Sequence, residues 1–179
     1  QLNKYICINK NILMKKIILS AIMLIGLAFT AQAQDISKNA LGLRLGGNNG
    51  FGGEVSYQRG LSKNNRLELD LGWRNRNNYN GFDDNAIKLA ALYQWVWNID
   101  GGFNWYAGVG GGVGNYSHDV KNDKRYSDTF VFAAGDIGIE YNFDIPLLIS
   151  LDFRPEFGGN GYYNDNYGSD IALGIRFQF

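Results

Sequence analysis

The sequence predicts an all-β chain: an eight-stranded antiparallel up-and-down transmembrane β-barrel preceded by a cleaved signal peptide. Three observations carry that prediction. A period-two alternation of apolar and polar residues recurs eight times. The connections between these segments alternate between short and long. Aromatic residues collect at the ends of the segments instead of being spread through them.

The N-terminal region has a different character. Residues 14–33 start at Met14 with Lys15 and Lys16, continue through an apolar stretch from Ile17 to Phe29, and reach Ala31-Gln32-Ala33 before Gln34. A charged start, a short apolar core and a small-x-small site describe a secretory signal peptide, with cleavage expected after Ala33. The apolar run is too short to span a bilayer comfortably and has no basic residues after it, which argues against an anchor. Residues 1–13 precede that complete signal and do not begin with Met. They are read as an upstream translation artefact, which leaves residues 34–179 as the barrel domain.

The whole sequence carries 17 basic and 17 acidic side chains. Removal of residues 1–33 takes away Lys4, Lys10, Lys15 and Lys16, so the mature charge is 13 − 17 = −4. A mildly acidic chain excludes nucleic acid as an expected partner. The single cysteine, Cys7, lies in the removed segment, so the mature chain has no disulfide. Small exported domains usually draw stability from such cross-links. A bilayer is an alternative source.

The eight segments follow in order. In the first, Leu41, Leu43 and Leu45 alternate with Gly42, Arg44 and Gly46. The second sets Phe51, Gly53, Val55 and Tyr57 against Glu54, Ser56 and Gln58. The third sets Leu67, Leu69, Leu71 and Trp73 against Glu68, Asp70, Gly72 and Arg74. The fourth is apolar on both sides: Ile87, Leu89, Ala91, Tyr93, Trp95 and Trp97 lie opposite Lys88, Ala90, Leu92 and Gln94. The fifth alternates Phe103, Trp105, Ala107, Val109 and Val113 with Asn104, Tyr106 and a series of glycines. The sixth sets Val131, Ala133, Ile137, Ile139 and Tyr141 against Asp136, Gly138, Glu140 and Asn142. In the seventh, Leu147, Ile149, Leu151, Phe153 and Phe157 oppose Ser150, Asp152, Arg154 and Glu156. The eighth, "DIALGIRFQF", sets Ile171, Leu173, Ile175, Phe177 and Phe179 against Asp170, Ala172, Gly174, Arg176 and Gln178.

Two architectures use such alternation: a soluble barrel with the apolar face inside, such as a lipocalin-like carrier of a hydrophobic ligand, and a membrane barrel with it outside. The polar faces decide. They hold small residues mixed with charges of both signs, not the long Lys- and Thr-rich side chains of a solvated sheet. An eight-stranded barrel has an interior that side chains just fill. Buried charges there need partners. The expected lumen network is therefore Arg44, Arg74, Lys88, Arg154 and Arg176 with Glu54, Glu68, Asp70, Asp136, Glu140, Asp152, Glu156 and Asp170.

The connections give an independent test. "LSKNN", "NIDGG" and "FDIP" are short, whereas "NRNNYNGFDDN", "SHDVKNDKRYSD" and "GGNGYYNDNYGS" are longer and polar. That is the asymmetry of an outer-membrane barrel, with extracellular loops expected at 75–85, 116–128 and 159–168. The first connection on the long side, around Gly47 to Gly50, is tight. Aromatics supply the girdles. Tyr57, Trp95, Trp97, Trp105 and Tyr141, with Phe103, Phe143, Phe177 and Phe179, fall near the short turns, and Trp73, Tyr116 and Phe157 near the other end.

With a signal peptide, eight amphipathic strands and a terminal "RFQF", the chain resembles the small outer-membrane β-barrels of the OmpA transmembrane-domain and OmpX type. The resemblance runs from Ile36 to Phe179 and rests on pattern, not on a diagnostic motif. It implies a location in the outer membrane of a double-membraned bacterium, in contact with outer-membrane lipid and lipopolysaccharide. It also implies that Ile175, Phe177 and Phe179 form the signal read by the barrel-assembly machinery. The expected state is a monomer with both termini on the periplasmic side, and its expected work is structural or through surface contacts.

Catalysis finds little support. His118, the sole histidine, sits between Ser117 and Asp119. Neighbours in sequence rarely make a triad, whose members converge from separate elements. A lipid A or phospholipid hydrolase on a small barrel is the enzymatic alternative, and it too depends on His118. The "GVGGGVG" run from Gly108 to Gly114 lacks the spacing and following helix of a phosphate loop. Crowding inside a barrel accounts for it better. Asp83, Asp84 and the acidic residues near Asp165 complete no calcium-loop spacing, so no metal or cofactor is expected. A lumen filled by paired charges argues against a constitutive pore.

Overall fold

The computed structural model describes residues 36–47, 52–78, 82–120, 124–158 and 166–179. The expected leader and the residues before it lie outside these. Eight strands follow one another: β1 (Asn39–Gly46), β2 (Gly53–Gly60), β3 (Asn65–Asn78), β4 (Phe82–Asp100), β5 (Phe103–Val120), β6 (Lys124–Asn142), β7 (Leu147–Gly158) and β8 (Tyr167–Gln178). Each pairs antiparallel with its neighbour in sequence, and β1 pairs with β8 to close the barrel. The seam is complete to its end. The Asn39 N–H donates to the Phe179 carbonyl at 3.1 Å, and the Phe179 N–H donates to the Asn39 carbonyl at 2.9 Å. Closure leaves no unpaired edge along the wall, which is what hydrocarbon surroundings demand.

The alternation in the sequence becomes an inside and an outside. Leu41, Leu43 and Leu45 are each nearly half exposed on the outer surface, while Arg44 between them is 0% exposed. Along β8, Ile171, Leu173, Ile175 and Phe177 face out, and Asp170, Ala172 and Arg176 are buried within. A soluble carrier needs these apolar faces turned inward. They line the outside, which removes the lipocalin-like alternative.

Strand length varies around the barrel. β1 and β2 have 8 residues each, whereas β4, β5 and β6 have 19, 18 and 19. The short turns fall where the sequence places them. Leu61 and Ser62 donate to the Asn65 carbonyl in one, Gly101 takes a φ of +52° in the second, and Phe143 donates to the Leu147 carbonyl in the third. At the opposite end the expected loops shrink. β3 pairs with β4 out to Asn78 opposite Phe82, and β5 with β6 out to Val120 opposite Lys124. Most of 75–85 and 116–128 is therefore strand. A backbone ladder continues through polar residues as readily as through apolar ones, and only the alternation disappears when neither face meets lipid. The segment 159–165 lies outside the described residues. The tight first connection leaves β1 at Gly46, whose N–H donates to the Gly52 carbonyl at 3.0 Å; Gly52 itself has a φ of +73°. β2 starts at Gly53, two residues after the Phe51 start read from the sequence.

Candidate functional site

The barrel interior gathers charged groups that are far apart in sequence, because every strand turns alternate residues inward. Arg44 of β1 sits among three carboxylates from three strands. Its Nη1 is 2.9 Å from Glu54 Oε2 and 2.9 Å from Asp170 Oδ2. Its Nε and Nη2 both donate to Asp152 Oδ1, at 3.0 and 2.5 Å, and Nε also reaches Asp152 Oδ2 at 3.2 Å. The planar guanidinium suits this forked geometry, which an ammonium does not reproduce.

Arg154 of β7 is a second hub. Its Nη2 lies 2.8 Å from Glu68 Oε1, and its Nη1 lies 2.8 Å from Asp70 Oδ2 and 3.5 Å from Glu54 Oε2. Arg176 of β8 approaches Glu68 Oε2 at 3.2 Å and donates to Ser56 Oγ and Ser150 Oγ at 2.9 and 2.8 Å. Lys88 of β4 bridges Glu156 at 2.8 Å and Glu54 at 3.2 Å. Glu54 is thus reached by Arg44, Lys88 and Arg154, and it links the two arginine hubs. Asp136 is held by an amide, accepting from Gln94 Nε2 at 2.5 Å.

Arg66, not anticipated from sequence, belongs with this set. It is 3% exposed, pairs with Glu140 at 2.7 Å and donates from Nε to Gln94 Oε1 at 2.6 Å. Its guanidinium also lies 4.7 Å from the centre of the Tyr106 ring, a cation–π contact. Gln58 and Gln94 extend the network by donating to Glu68. Arg74 is half-buried near the long-hairpin end, opposite Ala86.

Towards the long hairpins the interior changes chemistry. Ala86, Ala90, Leu92, Phe130, Phe132 and Ala134 form a buried apolar cluster, with Tyr116 packed against it. Tyr116, expected in the outer girdle, therefore turns inward. Phe130 and Phe132 stand opposite Gly114 and Gly112 on β5. A Cβ at Gly112 would collide with the Phe132 ring and the Leu89 carbonyl, and one at Gly114 with the Phe130 ring. Tyr106 opposite Gly138 repeats the arrangement lower in the barrel. These glycines of the "GVGGGVG" run make room for rings across the strand, as aromatic–glycine cross-strand pairs do in other sheets. Lys88 lies 5.5 Å from the Phe132 ring centre, where the ionic and aromatic zones meet.

Outside, aromatic contacts band the short-turn end. Trp97 stacks on Trp105 at 4.3 Å, Phe103 meets Tyr141 at 4.5 Å, and Trp95 meets Tyr93 at 5.0 Å. Tyr57 donates its hydroxyl to Asn39 at 2.9 Å. At the other end Trp73 is exposed, and Phe157 packs against Tyr167 at 5.3 Å. Ile175, Phe177 and Phe179 all lie on the outer face at the closing seam. The backbone pairs His118 with Tyr126 across β5 and β6 and with Asp84 of β4. Among the described residues no group of three or more His, Cys, Asp or Glu side chains converges as a metal site.

A closed eight-stranded barrel, apolar outside and ionic within, defines an integral β-barrel membrane protein. No family model matches the sequence, and no curated protein matches it. Solved structures share its fold, and all of those that follow are small outer-membrane barrels. The chain is similar to the N-terminal β-barrel domain of Pseudomonas aeruginosa OprF, with a TM-score of 0.59 and 16% identity over 83% of this chain and 100% of that one. It is similar to Neisserial surface protein A, with a TM-score of 0.59 and 13% identity over 79% and 94%. It is also similar to Ail, the attachment invasion locus protein of Yersinia pestis, with a TM-score of 0.55 and 14% identity over 80% and 97%.

Proposed function

We propose that this chain is a non-catalytic outer-membrane barrel that contributes to the integrity of the membrane and makes surface contacts through its long hairpins, with a lumen closed to steady flow. The observation that carries the reading is the pairing of an apolar outer wall with an interior of ion pairs joined through Glu54. Such an interior stabilises a wall and fills the space a channel needs. The contact role draws support from the neighbours, one named a surface protein and another an attachment invasion protein that has been crystallised with the heparin analogue sucrose octasulfate.

On this reading the short turns face the periplasm, the leader is cleaved after Ala33, Ile175, Phe177 and Phe179 direct assembly, and the barrel works as a monomer in lipopolysaccharide-containing membrane. Heat-modifiable migration after detergent extraction tests the membrane location, and recovery in the soluble periplasmic fraction refutes it. Single-channel recordings of refolded protein test the closed lumen, with a large stable conductance as the refuting result. For the absence of catalysis, a change in cellular lipid A on His118→Ala would restore the hydrolase alternative.

A further inference from the structure

On the outer surface of β3 to β6 the side chains change character row by row. Leu71, Leu89, Val113 and Val131 stand in register across the four strands. The next row towards the long hairpins is Trp73, Ile87, Asn115 and Thr129, and the one after it, among the described side chains, is Asn85, Ser117 and Ser127. Successive outward rows are about 7 Å apart along a strand. The wall thus passes from wholly apolar to wholly polar in two steps, and this transition marks the level at which hydrocarbon gives way to head groups.

A groove of about 240 Å³ crosses that level. Leu71, Ile87, Leu89 and Val113 line its apolar length, and Asn115 and Thr129 border its polar end. Lys88 and Gly114 also border it, but the Lys88 ammonium is turned into the lumen towards Glu54 and Glu156. Asn115 donates to Thr129 Oγ1 at 3.3 Å and accepts from Ser127 Oγ at 3.0 Å. Thr129 and Ser127 are exposed, so their hydroxyls remain open to a further partner on the outer side.

The occupant must match both ends. An apolar groove in a bilayer-facing wall takes an acyl chain. The head above it meets amides and hydroxyls, and among the described side chains of these two rows none is ionisable. A phosphate head calls for Arg or Lys. Sugar hydroxyls, which both donate and accept, pair with Asn, Ser and Thr. We propose that this face of β3 to β6 holds one saccharide-headed lipid, its chain in the groove and its sugar on Asn115, Thr129 and Ser127. The proposal rests on the outer-membrane reading above and names a lipid class for it.

Native mass spectrometry of the refolded protein tests this, in micelles doped with either a monoglucosyl diacylglycerol or a phosphatidylglycerol of the same acyl chains. The expected result is one bound glycolipid at several-fold higher occupancy than the phospholipid. Val113→Trp, which fills the groove, should lower glycolipid occupancy several-fold. The pair Asn115→Leu and Thr129→Val should erase the difference between the two lipids. Equal occupancy of both lipids by the wild-type protein, an unaffected Val113→Trp variant, or a dimer mass in place of a lipid adduct overturns the proposal. Heat-modifiable migration of every variant establishes that the barrel has folded, so a failed lipid preference stays distinct from a failed membrane reading.

Discussion

The two halves of the lumen fill the same cylinder by opposite means. Towards the short turns, Arg44, Arg66, Arg154 and Arg176 hold a net of carboxylates, and each contact depends on another being present. Towards the long hairpins, Phe130 and Phe132 lie over glycines with alanines around them. The ionic half is specific in geometry and unforgiving of loss, because a buried charge without its partner has no solvent to turn to. The aromatic half depends chiefly on shape, with Phe130 packed against Tyr116 and Phe132 at ring-centre distances of 6.2 and 6.0 Å. Ring and glycine must still match in size across each register pair.

Substitutions separate these two behaviours. Arg44→Met should have the largest effect, about 3–5 kcal/mol of stability, because it leaves Glu54, Asp152 and Asp170 without their shared cation. Denaturant titration of the protein in liposomes measures it. A loss below 1 kcal/mol would mean that water enters and solvates the net.

Phe132→Ala should cost about 3 kcal/mol through the cavity it leaves. Single-channel recordings of the double variant Phe130→Ala and Phe132→Ala should stay closed, because the ionic half still blocks the lumen. A steady conductance would assign the barrier to the rings.

Gly112→Ala should cost about 1–3 kcal/mol, the price of overpacking a filled site. Gly114→Ala should cost less. The added methyl meets a ring and a backbone carbonyl at both sites, but at Gly114 the Ile87 carbonyl is 2.9 Å away and the Phe130 ring lies nearer, so only at Gly112, against the Leu89 carbonyl, is the rigid backbone the nearest obstacle. Thermal unfolding of the two variants side by side gives the order. The smallest effect belongs outside the lumen: Trp97→Leu should lose about 0.5–1.5 kcal/mol with its stack on Trp105.

The same contrast explains what the sequence revealed. Where one face is apolar and the other charged, as from Leu67 to Arg74, alternation declares the strand and its inward residues together. Arg66 precedes that run and adjoins the turn residues "SKNN", so its composition reads as turn although its parity matches Glu68 and Asp70. Phe130 and Phe132 sit in "FVFAA", where every residue is apolar and alternation is silent. Counting back in twos from Glu140 and Asp136 places both rings inside, and the glycines at 112 and 114 are their counterparts. Beyond the membrane neither face of a hairpin is apolar, so 75–78 and 124–128 carry no period and read as loop.

The seam between β1 and β8 has a kinetic consequence. Every other strand pair joins neighbours in sequence, whereas Asn39 and Phe179 must meet from opposite ends of the described chain. Local hairpins form early and non-local pairings late, since chain entropy must be surrendered before the contact rewards it. Seven pairings can therefore zip in sequence while two bare edges wait, and the rate of barrel formation is set by how soon those edges find each other.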